Sequence, residues 1–152
     1  MSITIHFGGK LSSIKILDEL LAFVAYYATD KDWVFSELKE DSETNIEPWE
    51  KAIILQTDMN VESIFIHFDE TLTFQTFCKT QFGGVEAHVD IIEFLHEIEK
   101  FFIDFWVMDE GDYWQTNDEL LLKEKMDTMS TILGAVEKSL KEQNDNDKWK
   151  YN

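Results

Sequence analysis

Apolar and polar positions follow two rhythms along this chain, one of period two and one of period close to 3.6. Ile3 to Phe7 alternates and is β-branched, which predicts a strand that Gly8-Gly9 is expected to end. Ile14, Leu17, Leu21, Val24 and Ala28 then recur at helical spacing, with Leu20 and Tyr27 beside them. This predicts a helix over about 12–29, with Ser12 or Ser13 as N-cap. Trp33 to Leu38 reads as a second strand. Residues 39–50 are polar and acidic, contain the only proline, Pro48, and are read as a loop. Ala52 to Thr57, Ser63 to Phe68 and Leu72 to Phe82 are three further strands, with a tight turn expected at Asp69-Glu70. Gly83-Gly84 ends the last of them. Val89, Ile92, Leu95, Ile98 and Phe102 mark a second helix over about 86–102, with Asp90, Glu93, Glu97 and Lys100 on its outer face. Phe105 to Met108 is a strand and Asp109 to Asn117 a loop. Thr116 and Glu119 stand in capping-box spacing ahead of a third helix, which carries Leu122, Met126, Met129, Leu133, Val136 and Leu140.

Two segments match each other. His6-Phe7-Gly8-Gly9 and Gln81-Phe82-Gly83-Gly84 each stand between a strand and a helix, and each is followed by a strand with a tryptophan, Trp33 or Trp106. They predict two β-α-β-like units whose right-handed crossovers place both helices on one face of one sheet. Strands 52–57, 63–68 and 72–82 would fill an antiparallel middle. The expected fold class is therefore α+β: a two-layer sandwich, ferredoxin-like in outline, with a mainly antiparallel sheet and a long C-terminal helix. The 152 residues suit one domain, placed at 1–143, followed by a polar tail at 144–152 in which Trp149 and Tyr151 could dock.

Charge changes the picture more than size does. There are 31 acids and 13 bases, a net charge of −18, and every base is lysine. Nucleic-acid binding needs a basic footprint, and an anionic membrane surface would repel this chain, so neither partner is expected. The acid is uneven: Glu37 to Glu50 holds six acids and one lysine, and Glu86 to Glu119 holds eleven acids and one lysine, Lys100. The last helix is nearly balanced. Cys78 is the only cysteine, which excludes an intrachain disulfide and fits a reducing, cytoplasmic setting. No apolar run approaches the roughly 20 residues of a bilayer span, and Met1 to Lys10 lacks a secretory pattern.

Candidate chemistry is sparse. The Phe-Gly-Gly turns could present backbone N–H groups to an anion, but neither matches a phosphate loop or a dinucleotide fingerprint. The carboxylates of Asp109, Glu110, Asp112 and Asp118 are not spaced as an EF-hand, and the segment lacks histidine, so no metal and no cofactor are expected. Tyr113 and Trp114 among those acids either suit partner recognition or pack down onto the sheet from a solvated loop. His6 and His67 are expected to face outward from strands, and His88 and His96 are eight residues apart, too far to chelate one ion. Cys78 and His88 could form a nucleophile and base, although Phe77 and Phe82 point to a buried structural thiol.

The Phe-Gly-Gly turn, Lys79-Thr80-Gln81-Phe82 leading to His88, and Asp109-Glu110-Gly111 with Tyr113-Trp114 resemble the recurring motifs of a group of small bacterial proteins. The resemblance covers most of residues 3 to 122 and implies a bacterial, cytoplasmic protein without implying an activity. Three functional expectations remain. The first is a non-enzymatic module, inhibitor- or immunity-like, that binds a basic protein through Asp109, Glu110, Asp112, Tyr113, Trp114 and His88. The second is a small-ligand or enzymatic site near His88, Asp109, Glu110 and Tyr113. The third is a homodimer through helix 118–142, whose apolar seam would otherwise dock on the free sheet face.

Overall fold

The computed structural model describes residues 2–38, 47 and 50–150. Most of the predicted loop at 39–50 and any docking of Trp149 or Tyr151 lie outside the described residues or side chains. The fold is α+β. Strands β1 (Thr4–Lys10), β5 (Thr73–Lys79) and β6 (Asp104–Asp109) form one antiparallel sheet in the order β5-β1-β6. Strands β2 (Val34–Leu38), β3 (Ala52–Gln56) and β4 (Ile64–His67) form a second, in the order β2-β3-β4. Helices α1 (Ile14–Asp30) and α2 (Gly84–Ile98) cover the inner faces, and a short α3 (Tyr113–Thr116) leads into α4 (Glu119–Lys150).

The second of the two expected β-α-β units is present as a split unit. β5 and β6 both run antiparallel to β1 and flank it, with α2 between them in sequence. The first unit does not close within one sheet. Both edges of β1 are taken by β5 and β6, so the chain leaving α1 finds no vacant edge there, and β2 pairs with β3 instead. The single sheet expected from the sequence is thus two three-stranded sheets, joined in sequence by a turn in which the Leu72 N–H donates to Asp69 O at 2.9 Å.

Gly8-Gly9 does not end the first strand. β1 runs through both glycines to Lys10. A Cβ on Gly8 would lie 2.6 Å from the Phe74 carbonyl oxygen and 2.9 Å from the Trp106 ring; one on Gly9 would lie 2.7 Å from Phe102. The glycines are there because rings from distant segments cross the strand, a close approach that only a bare Cα permits. The second pair opens the helix as expected, with Gly83 capping α2 and Gly84 at φ +79°, but it does not end the strand, which stops at Lys79 before a turn instead of running to Phe82.

α1 is capped by Ser13, whose hydroxyl accepts from the Ile16 N–H at 3.3 Å, and it buries Leu17, Leu20, Leu21, Val24 and Ala28. Tyr27 of α1 meets Phe94 of α2 at 5.3 Å, and Trp33 meets Phe94 at 5.5 Å. The two sheets share an aromatic knot: Phe74 stands 5.9 Å from Phe7, 5.2 Å from Phe68 and 5.4 Å from Phe102. Asp118, rather than Thr116, makes the capping hydrogen bond of α4, accepting from the Leu121 N–H at 3.1 Å. α4 also continues through the segment read as a tail, to Lys150.

Candidate functional site: a sealed histidine–aspartate pair and an open acidic ridge

Strand parity decides where the residues at the end of β6 point. Phe105, Val107 and Asp109 face the helices, while Asp104, Trp106 and Met108 face out. Asp109 therefore enters the core opposite Ile5. His88 shares the buried stripe of α2 with Ile91, Leu95 and Ile98. The side chains of His88 and Asp109 are both fully buried, and Nε2 lies 3.0 Å from Oδ1. That contact lies off the N–H axis and falls short of a well-formed hydrogen bond. Nδ1 lies 2.6 Å from Thr80 Oγ1. An ionised carboxylate only accepts, so Nε2 carries the hydrogen, and in the neutral ring Nδ1 accepts from the Thr80 hydroxyl.

Asp109 is also the anchor of the segment that follows it. Oδ1 accepts from the Gly111 N–H at 2.8 Å and Oδ2 from the Trp114 N–H at 2.9 Å. Burial alone would raise this carboxyl. The His88 ring and the Trp114 and Gly111 amides outweigh that effect and hold it below its ordinary value. Thr80, His88 and Asp109 have the residue types of a nucleophilic relay, but the Thr80 hydroxyl is sealed beneath Ile3 and no substrate carbonyl reaches it. The cluster ties the end of β5, α2, the end of β6 and α3 together.

Gly111 completes the packing. A Cβ there would lie 2.5 Å from Leu122 Cδ1 and 3.1 Å from His88 Cε1. Gly111→Ala is expected to destabilise the fold by about 1–3 kcal/mol through overpacking, read from a shift in the urea midpoint. An unchanged midpoint would show that this glycine is not needed for space.

The six residues expected to form one binding site do not come together. His88 and Asp109 are sealed, and Tyr113 is buried. Trp114 lies flat on His96, ring centres 4.0 Å apart, so it packs down instead of reaching out. Asp112 pairs with Lys125. Glu110, one residue beyond Asp109, has the opposite parity and faces outward, 3.8 Å from His6 across a shallow groove of about 390 Å³. Cys78 is buried, and burial with the nearby Glu62 pushes its thiol up to about 12, which disfavours the thiolate a nucleophile needs. His6 and His67 face outward as expected.

Two features went unread in the sequence. One is the sealed pair: Asp109 keeps the phase of Phe105 and Val107, and His88 keeps the spacing of Ile91, Leu95 and Ile98, so extending each pattern by one position finds it. The other is the outer face of β5-β1-β6, where Phe77, Trp106 and Met108 are exposed. They occupy the polar phase of their strands, beside Gln75, Lys79 and Asp104.

The acids gather on the opposite side of the molecule. Glu86, Asp90, Glu93 and Glu97 run along the exposed side of α2 at spacings of four, three and four residues. Asp30 and Asp58 join them from α1 and from the loop after β3. Among the described residues, none of these six acids forms an ion pair. Their mutual repulsion is felt locally. Burial, then Glu93 and Glu86, raises the Asp90 carboxyl. Burial, then Glu93, Glu97, Asp90 and Asp30, pushes the Tyr27 phenol up to about 12. Thr57, Asp58, Gly83, Glu86, Ala87 and Asp90 line a cleft of about 190 Å³ at the start of this ridge. Among the described residues, no three His, Cys, Asp or Glu side chains are grouped to hold a metal ion, and no helix is long and apolar enough to cross a membrane.

No family model matches the chain, nor does any curated protein or solved structure.

Proposed function

We propose that this protein is an acidic protein-interaction module, similar in kind to an inhibitor or immunity protein, whose α2 ridge receives a basic partner. The observation that carries this reading is the row of carboxylates at Glu86, Asp90, Glu93 and Glu97, none of which forms an ion pair among the described residues. Lysines or arginines of a partner would offset the repulsion from Glu93 and Glu86 that adds to burial in raising Asp90, and the net charge of −18 would steer such a partner in from solution. A ridge of this kind acts mainly on encounter rate and is weakened by salt.

The exposed Phe77, Trp106 and Met108 favour a second surface for the same activity, since aromatic anchors carry much of the energy of protein contacts. One experiment separates the two. The protein is immobilised as wild type, as a ridge variant (Glu86→Gln, Asp90→Asn, Glu93→Gln, Glu97→Gln) and as a sheet-face variant (Phe77→Ser, Trp106→Ser). Each is exposed to lysate of its own cells and washed at low and then high salt. The expected result is one basic protein held by the wild type and the sheet-face variant at low salt, weakened at high salt, and lost from the ridge variant. Loss from the sheet-face variant alone would move the contact to the aromatic face. The same retention on all three would end the interaction reading at both surfaces.

A further inference from the structure

α4 outruns the body it is attached to. Leu122 and Met126 are buried, and the buried Gln81 amide donates to Met126 O at 2.8 Å and to Ser130 Oγ at 2.9 Å, clamping this first part of the helix. From there the helix continues for some twenty residues, and its apolar stripe continues with it. Met129 still touches the core, Leu133 is half-buried, and Val136 and Leu140 are 40% and 56% exposed, with Ile132 beside them at 42%. The stripe alternates steps of four and three residues, the repeat of a helix that pairs with another helix. A solvated segment of this length containing Gly134, Thr128, Thr131, Asn144 and Asn146 has weak helical propensity by itself, so its helicity calls for a covered seam.

Charge selects the occupant. α4 holds seven acids and six lysines, so almost the whole net charge of −18 lies outside it. A basic partner has no reason to prefer this helix, whereas a second copy of the chain meets least self-repulsion here. We infer that the protein forms a homodimer in which two α4 helices pair antiparallel along Met129, Leu133, Val136 and Leu140. The antiparallel sense follows from the bodies. Centred between Leu133 and Val136, it sets the points where the helices leave the two bodies, at Ser130, about 14 Å apart along the axis. That is nearly two Debye lengths of about 8 Å at physiological salt. A parallel pair would set two strongly acidic bodies side by side.

The test uses the full chain. Light scattering over a concentration series is expected to show a species of twice 17.9 kDa. Val136→Lys with Leu140→Lys, both at exposed positions, is expected to give a monomer whose near-ultraviolet circular dichroism is unchanged. A spin label on Asn144→Cys reads the sense of pairing, because Cys78 is buried and does not compete for the label. Labels about 30 Å apart are expected for the antiparallel pair, against about 10 Å for a parallel one. A monomer at every concentration, a dimer that survives the double substitution, or the short label distance would each overturn the proposal.

Discussion

Asp109→Ala is expected to cost about 2–5 kcal/mol, because it strands several buried donors at about 1–3 kcal/mol each. The side chain has three partners. Its loss strands the Gly111 and Trp114 N–H groups and leaves His88 Nε2, already badly aligned, with nothing to face. Urea denaturation at neutral pH would read this as a lower midpoint at unchanged slope. A loss below about 1 kcal/mol would show that the carboxylate is dispensable to the fold. The pH dependence has a definite sign. The folded state holds this carboxyl below the roughly 3.9 of an unfolded aspartate. Its stabilising contribution is therefore complete above that value and is lost as pH falls through the folded value. Acid also relieves the general repulsion of a chain at −18, which works the other way. The difference between wild type and Asp109→Asn isolates the pair: it should be largest near neutrality and shrink on acidification. A difference that grows with acid would contradict the assignment.

Phe68→Ala is expected to cost a similar amount, about 3–5 kcal/mol, and to change the character of unfolding as well as its midpoint. Phe68 is fully buried and lies just past β4, 5.2 Å from Phe74 and 6.5 Å from Phe102. The sheets β5-β1-β6 and β2-β3-β4 share no strand ladder, so their cooperativity rests on packing of this kind. With the ring gone, amides of β3 and β4 should lose hydrogen-exchange protection before those of β1 and β5. The apparent denaturant slope should fall as two-state behaviour breaks down. A single transition of unchanged slope, with uniform loss of protection, would mean that the sheets are coupled elsewhere.

Much of the architecture was legible because local pattern and final environment agree. The stripe of α1, the serine cap at Ser13, the glycine start of α2 and the outward phase of His6 all follow from neighbours a few residues away. What was misread depends on partners far along the chain. Gly8 and Gly9 look like a strand end, because the rings that need the space come from Phe102 and Trp106. β2 looks like a neighbour of β1, because nothing local shows that β5 and β6 take both edges. The Asp109–Trp114 segment looks like an exposed acidic loop. Its first residue instead turns inward by strand parity and folds the following residues over itself through two backbone hydrogen bonds. A polar residue that continues an apolar phase, as His88 and Asp109 do, is the sequence signal that was available.

The unsupported length of α4 also shapes how the molecule moves through water. A helix rises about 1.5 Å per residue, so the twenty or so residues beyond Ser130 form a rod of about 30 Å attached to a body of ordinary size. Such a shape tumbles and diffuses like a larger sphere. Even a single copy would elute early from a sizing column, and its rotational correlation time would exceed that of a compact 17.9 kDa protein.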